Sequence, residues 1–164
     1  MSTEPKVNGR GSGLKVSFDP VAFRWRGIEP RVYKFSVGDA RGMGWRGVDR
    51  FTMAGPPPIS VSFELRYFEL APGGYSSLEK HAHPHLIIVL RGHGKALVGC
   101  EVYDLARHDL VYVPALVPHR WINDGQEIFG FLCPVDAGRD PAQPVSDEEW
   151  ETLSRHPVTA PYVF

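Results

Sequence analysis

A glutamate and three histidines lie close together near the middle of this 164-residue chain. They occupy every second position of one short segment, as Glu79, His81, His83 and His85. In extended chain, residues two positions apart point to the same face, so these side chains would converge. Carboxylate and imidazole are ligand types that suit Fe, Mn, Ni, Cu or Zn. A further histidine, His119, follows a proline at the start of a later apolar run, and together these residues indicate a metal site.

The histidines are surrounded by short apolar runs separated by glycine and proline. The chain has 17 Gly and 15 Pro, which is typical of many short strands joined by turns. This spacing favours an all-β sandwich or barrel. Strands are predicted at residues 60–70, 79–81, 85–91, 95–98, 101–105, 109–113, 119–123 and 128–133.

The clearest alternation of apolar and polar residues is in the run 60–70, which therefore predicts a strand with one buried face. The predicted buried face holds Val61, Phe63, Leu65 and Tyr67. The opposite face, predicted to be mostly exposed, holds Ser62, Glu64, Arg66 and Phe68. Pro72, Gly73 and Gly74 then predict a turn.

The N-terminal third gives weaker signals. Asp19 and Pro20 are residue types of a helix N-cap and first helical position, and a strand is predicted at 31–36. Residues 38–50 are rich in Gly and Arg and predict a loop. Arg41, Arg46 and Arg50 in this loop either meet an anionic substrate or are solvated at the surface.

Near the C-terminus, Ser146 to Glu149 form a capping box that predicts a short helix, which His156 and Pro157 end. This helix is predicted to be structural cover.

Composition restricts the classes of function. Hydrophobic residues make up 43% and charged residues 23% of the chain, as in an ordinary globular domain. The formal net charge of −1 gives no attraction to nucleic acid. No apolar run approaches the ~18 residues of a membrane span. The length of 164 residues predicts a single domain. The N-terminus lacks the apolar core of a signal peptide and two cysteines make no disulfide framework, so we expect a cytoplasmic protein.

The segment from Gly73 to Gly92 resembles the first motif of the cupins, a family of small double-stranded β-barrels. That motif reads Gly, five residues, His-x-His, three or four residues, Glu, six residues, Gly. The spacing fits throughout, but the two end ligands are exchanged. Glu79 stands where the first histidine is usual, and His85 stands where the glutamate is usual.

The second cupin motif reads Gly, five residues, Pro-x-Gly, two residues, His, three residues, Asn. Here Pro114, His119 and Asn123 fit, whereas His108 and Leu116 replace the two glycines. These departures affect turns rather than ligands. The resemblance implies a cupin β-barrel or jelly roll at 60–134. An N-terminal extension, 1–59, would pack on the barrel or a partner subunit, and a tail with a short helix would span 135–164.

The resemblance also implies a divalent transition metal held by Glu79, His81, His85 and His119. Mixed ligation of this kind favours Mn or Fe, and Ni, Co and Zn are compatible. An octahedral shell would keep open positions for substrate or water, unlike a closed structural site. An alternative register would use His81 and His83 as the paired ligands. Because a tight turn at Pro84 must reverse the chain, we place His83 in that turn, where it would either support a metal ligand or lie at the surface.

Cys133 lies on the last predicted strand, at a position that can face the cavity in small metal cupins. A thiol beside a cation has a lowered pKa and becomes a nucleophile or proton donor, so Cys133 is a candidate catalytic residue. The alternative is a buried inert cysteine. Cys100 lies at a hairpin tip and is predicted to be incidental. Candidate pocket residues, which are otherwise plain core, are Tyr67, Tyr112, Trp121 and Phe131.

The runs 63–85 and 131–134 are similar to bacterial cupins that cleave methylthio-sugar phosphates. That resemblance implies transfer of the methylthio group of methylthioxylulose 5-phosphate to a thiol such as glutathione. Because small cupins commonly pair barrels, a homodimer is also expected. The net charge and the apolar runs described above predict no nucleic acid or membrane partner. Two other classes stay open. An iron-dependent cupin dioxygenase would consume oxygen, and a non-catalytic binding module would turn over nothing.

Overall fold

The structure is a computed structural model that describes residues 14–33, 42–55 and 59–164. Within these residues there are thirteen strands, one α-helix and one short 3-10 helix. The helix α1 spans Asp147–Arg155, and the 3-10 helix spans Ala160–Tyr162. The strands are β1 Phe18–Asp19, β2 Arg24–Trp25, β3 Arg31–Val32, β4 Arg46–Ala54, β5 Phe63–Tyr75, β6 Glu79–Lys80, β7 His85–Arg91, β8 Gly94–Val98, β9 Glu101–Leu105, β10 Leu110–Val113, β11 His119–Ile122, β12 Phe129–Asp136 and β13 Gln143–Pro144.

Strand β5 is the central strand of an eleven-stranded sheet. One edge of β5 pairs with β12 from Phe63 to Leu70, and β12 continues through β7 to β10. Strand β5 also pairs with β4, and the C-terminal end of β5 pairs with β11. Strand β11 in turn pairs with β6 and with β8 of the β8–β9 hairpin. The sheet therefore curls into a half-barrel. The predicted all-β barrel with a short C-terminal helix is confirmed.

The predicted division of β5 into a buried and an exposed face is wrong, because both faces are covered. Arg66 and Phe68, predicted to be mostly exposed, are 5% and 6% exposed and face the barrel interior. On the other face, Tyr67 is fully buried and its ring lies 5.1 Å from that of Trp25 in the β1–β2 hairpin. Phe63, predicted to be buried, is 42% exposed.

Two predicted breaks in the chain are also wrong. The predicted turn at 72–74 is part of β5, where the register with β4 shifts and leaves the extra residues in a bulge. The predicted helix at Asp19 is a hairpin turn, in which the Asp19 carboxylate accepts from the backbone N–H groups of Val21 and Ala22 at 2.9 and 3.1 Å. The aspartate therefore caps a turn without starting a helix.

The predicted loop 38–50 is a strand from residue 46 onwards, because β4 pairs with β5. Arg46 and Arg50 lie on this strand, while Arg41 lies outside the described residues. Only Arg31–Val32 of the predicted strand at 31–36 is a strand, and 34–36 lie outside the described residues. The sheet thus includes a strand that precedes residue 60, the predicted start of the barrel.

The C-terminal helix forms as predicted. Ser146 accepts from the Glu149 backbone N–H, Glu149 returns a hydrogen bond to the Ser146 N–H, and the helix ends at His156. Leu153 packs with buried residues of the sheet such as Leu97 and Ile122, so α1 covers the barrel. None of the helices in the described part of the chain has the length and apolar character needed to cross a membrane.

Candidate functional site

Three histidines lie around His81 in the barrel. The ring centroid of His81 lies 3.9 Å from that of His83, 4.1 Å from that of His85 and 4.8 Å from that of His119. The rings of His85 and His119 are 5.0 Å apart. We call His81, His83, His85 and His119 the histidine cluster.

Strand pairing brings a carboxylate to this cluster. Glu79 on β6 is the register partner of His119 on β11, so residues forty positions apart become neighbours. Glu79 is 7% exposed, and the hydroxyl of Ser77 donates to its Oε2. Beside it, the ammonium of Lys80 lies 2.7 Å from Glu149, which ties β6 to the C-terminal helix.

The side chains form two overlapping sets that could hold a cation. In one set, donor atoms of Glu79, His81 and His119 all lie within 4.8 Å of one another, and all three residues are buried. In the other, donor atoms of His81, His83 and His85 meet the same limit. His81 belongs to both sets. The four residues predicted as ligands are therefore brought to one place, and His83 accompanies them.

Three ring nitrogens in this cluster are buried with no hydrogen-bond partner among the residues that the structure describes: Nε2 of His81, Nδ1 of His85 and Nε2 of His119. Buried polar atoms are otherwise almost always paired, so each of these needs an explanation. A metal ion supplies one. Nδ1 of His81 donates to the His83 carbonyl, and Nδ1 of His119 donates to the Val117 carbonyl, both at 2.9 Å. Such bonds orient metal-binding histidines and direct the other nitrogen to the metal.

Burial also holds these imidazoles in the neutral form that metal binding requires. Desolvation lowers the pKa of His81 and of His85 from the ordinary value. It lowers the pKa of His119 to about 4. At neutral pH each ring therefore keeps a free lone pair. The donors present fit a divalent transition metal.

His83 is not at the surface, because its side chain is only 10% exposed and its ring stacks on His81 at an interplanar angle of 8°. Its Nδ1 lies 2.6 Å from Oδ1 of Asp140. Asp140 also accepts from the backbone N–H groups of Ala82 and His83, at 2.7 and 3.1 Å. The hydrogen bond from His83 is the main reason that the pKa of Asp140 falls to about 2. Asp140 thus clamps the turn that carries His83.

A cavity of about 400 Å³ opens beside the cluster and is lined by Glu79, His81, His83 and His85. Three predicted pocket residues, Trp121, Phe131 and Cys133, line it as well. Tyr67 does not, because it faces the N-terminal hairpin, and Tyr112 is 59% exposed on β10. Among the described residues, the arginines that line it are Arg66 and Arg139, whereas Arg46 and Arg50 of the predicted anion-binding loop do not line it.

Cys133 faces the cavity but its thiol is not activated by its protein surroundings. The residue is 2% exposed, and burial raises its pKa to about 12. The lowered pKa expected from the sequence depends on a bound cation, whereas burial among the protein groups alone keeps the thiol protonated at neutral pH. Cys100 is exposed at the turn between β8 and β9, as predicted.

The two departures from the second motif retain the backbone shape of the glycines that they replace. His108 and Leu116 have φ values of 81° and 62°, in the left-handed region. Gly92 of the first motif has φ 64°, and a Cβ there would overlap the carbonyl oxygen of Ile128. The barrel therefore keeps its turns while two of them carry side chains in a strained conformation.

Asp140 and Arg139 could not be found from local sequence. Both lie in the segment after β12, and Asp140 reaches His83 across 57 positions of the chain. Neither belongs to a motif, and the Asp140 carboxylate resembles any surface carboxylate in the sequence. The role of Asp140 is evident only in the folded structure, where the segment after β12 packs against the turn between β6 and β7.

Comparison with known proteins agrees with this architecture. A family model described as a cupin domain matches residues 66–135. The 1-methylthio-D-xylulose 5-phosphate methylsulfurylase of Rhodospirillum rubrum is 36% identical over 141 residues, which cover 86% of this chain and 86% of that protein. The resemblance to cupins, and to the type that acts on methylthio-sugar phosphates, is thereby confirmed.

Solved structures agree as well. A cupin 2 conserved barrel domain protein from Rhodopseudomonas palustris matches with a TM-score of 0.79 and 32% identity, covering 91% of this chain and 98% of that chain. A cupin-2 domain from R. rubrum matches with a TM-score of 0.74 and 33% identity, covering 91% and 95%. With its two motifs, its curled sheet and its histidine cluster, this chain belongs to the cupin family.

Proposed function

We propose that this cupin is a metal-dependent enzyme that cleaves the carbon–sulfur bond of a methylthio-sugar phosphate, methylthioxylulose 5-phosphate being the best candidate. The printed name of the R. rubrum relative supports this substrate class. The observation that carries the proposal is the set of three buried, unpartnered imidazole nitrogens beside Glu79, next to a cavity that also holds a thiol.

We assign the metal to Glu79, His81, His85 and His119. The three histidines are those whose ring nitrogens lack partners, and Glu79 shares a donor set with His81 and His119. His83 is bound to Asp140 and is assigned to supporting His81. Mn or Fe is favoured, with Ni, Co and Zn compatible. When bound, the cation supplies a Lewis acid for the ketone oxygen of the substrate.

The proposed reaction transfers the methylthio group to an external thiol such as glutathione. The thiol sulfur bonds to the methylthio sulfur, the bond from that sulfur to C1 breaks, and its electron pair remains on C1 beside the ketone. A proton added to C1 then gives a deoxyxylulose 5-phosphate. The other product is the mixed disulfide of glutathione and methanethiol, and the proton lost by the external thiol balances the one added to C1.

Cys133 is the proposed source of that proton. Its pKa of about 12, raised by burial, keeps the thiol protonated, which supports a donor rather than a thiolate nucleophile. Trp121 and Phe131 line the same cavity and would exclude water from C1. The proton released by the external thiol would restore Cys133.

The test is a turnover assay with the purified protein loaded separately with Mn, Fe, Co or Ni. With methylthioxylulose 5-phosphate and glutathione, we expect deoxyxylulose phosphate and the mixed disulfide in equal amounts. Omission of glutathione and removal of the metal by a chelator are the controls, and each should abolish turnover. Absence of both products with every metal would contradict the proposal, as would consumption of oxygen in place of thiol.

The homodimer and the cytoplasmic location remain proposals. Small cupins commonly pair barrels, and β10 is an edge strand whose Leu110 and Tyr112 are 58% and 59% exposed. Light scattering behind size exclusion would show a mass near twice 18.3 kDa if the dimer forms. A monomer over the micromolar range would contradict it.

A further inference from the structure

Three charged side chains meet at one wall of the cavity: Glu64, Arg66 and Arg139. Arg66 donates through both Nε and Nη2 to the same oxygen of Glu64, with Nε at 2.7 Å. Nη2 of Arg139 lies 3.4 Å from that oxygen. The side chains are 6% exposed at Arg66, 21% at Arg139 and 27% at Glu64. One carboxylate oxygen therefore gathers two guanidinium groups.

Among the described residues, Glu64, Arg66 and Arg139 together carry one positive charge in excess, because two guanidinium groups share one carboxylate. The contacts with Glu64 use Nε and Nη2 of Arg66, so its Nη1 is outside the ion pair. Arg139 donates through Nη1 to the carbonyl of Asp136 at 3.1 Å, which leaves its Nε outside these contacts. Positive charge with spare donors at a cavity wall suits a phosphate.

The group is fixed relative to the rest of the site. Arg66 on β5 is the register partner of Cys133 on β12, and both side chains line the cavity. Arg139 is followed by Asp140, whose carboxylate binds His83 of the histidine cluster. Two independent connections, one through the sheet and one through the loop, therefore hold the arginines beside the thiol and the cluster.

We infer that Arg66 and Arg139, gathered by Glu64, bind the phosphate monoester of the substrate and determine the preference for phosphorylated sugars. This rests on the proposed function for the identity of the substrate. A cavity of about 400 Å³ has room for a five-carbon sugar phosphate. With its phosphate at the arginines, the sugar of such a molecule extends along the cavity toward the metal-binding residues.

The test measures binding of D-xylulose 5-phosphate and of D-xylulose to the metal-loaded protein by calorimetry. The wild type should bind the phosphorylated sugar at least about tenfold more tightly, the ratio expected for one charge-assisted contact. Arg66→Gln and Arg139→Gln should each remove most of this ratio and leave the affinity for D-xylulose unchanged. Arg46→Gln is the matched control, because Arg46 lies on β4 outside the cavity lining.

An unchanged ratio in Arg66→Gln and Arg139→Gln, or a loss in Arg46→Gln, would overturn the inference. If Arg66→Gln fails to fold, Arg139→Gln decides, since its side chain is more exposed. The inference and the proposed function fail separately. Arginine-dependent binding without turnover would contradict the proposed reaction and support the phosphate site. Normal turnover with an unchanged KM in Arg139→Gln would contradict the phosphate site and support the proposed reaction.

Discussion

Arg66 and Cys133 lie directly opposite each other on β5 and β12, and both side chains line the same cavity. Opposed residues of an antiparallel pair have Cβ atoms roughly 5 Å apart. The β5–β12 register therefore places these two side chains next to each other on one wall of the cavity. A slip of one residue would turn one of the two out of the cavity, so the register is part of the site.

Replacing Cys133 by Ser should lower kcat by about 100-fold or more, because the serine hydroxyl is a weaker acid than the thiol. Metal content should not change. The matched control is Cys100→Ser, since Cys100 is exposed at a hairpin. Steady-state kinetics with metal analysis of each preparation provides the measurement. Full activity in Cys133→Ser would remove the proton-donor role.

Replacing His83 by Ala should leave one metal ion per chain, with affinity weakened by about tenfold, as expected for a supporting residue. Alanine keeps the backbone carbonyl that accepts from His81. What the variant loses is the imidazole ring, which in the wild type is hydrogen-bonded to Asp140. His81→Ala is the contrasting variant and should lose the metal. Elemental analysis after dialysis against metal-free buffer would compare them. A metal-free His83→Ala protein would make His83 a ligand.

Protein stripped of metal should lose stability as the pH falls from about 6.5 to about 4. His119 has a folded-state pKa of about 4, below the unfolded value of 6.5, so the unfolded chain binds the proton first. Stability from this residue is present above pH 6.5 and falls by about 3 kcal/mol across that window. Denaturant unfolding at several pH values would measure it. His119→Gln should show a smaller decline, and an equal decline would contradict the assignment.

Replacing Leu116 by Gly should stabilise the protein by about 0.5 kcal/mol, despite the greater flexibility of glycine in the unfolded chain. Leu116 has φ 62° and is 55% exposed, so relief of backbone strain exceeds the small loss of burial. Leu116→Ala keeps the strained backbone and should not stabilise. Thermal unfolding would compare the three proteins. A lower Tm for Leu116→Gly than for the wild type would contradict the interpretation.

Local sequence predicts the elements whose turns and caps are formed by residues close together in the chain. The spacing from Gly73 to Gly92 located β6, the turn and β7, and the capping box located α1. Features that depend on distant pairing were missed. Strand β4 has the Gly and Arg content of a loop and is a strand because it pairs with β5.

The same limit explains the error at β5. Alternation in 60–70 was interpreted as one buried and one exposed face, yet Arg66 is buried in the cavity wall and Tyr67 is buried under the hairpin. A charged residue in a strand usually indicates that its face of the strand is exposed to solvent. Here Glu64 accepts from Nε and Nη2 of Arg66, which offsets part of the cost of placing the guanidinium inside the barrel. Nothing in the local pattern distinguishes these two cases.

The most direct test of the account is anomalous diffraction from crystals of the Mn-loaded protein. The account predicts one cation bound by Glu79, His81, His85 and His119, with part of its shell open toward the cavity that holds Cys133. A cation on His81, His83 and His85 without Glu79 and His119 would contradict it. So would a cation fully enclosed by protein ligands, or no bound cation.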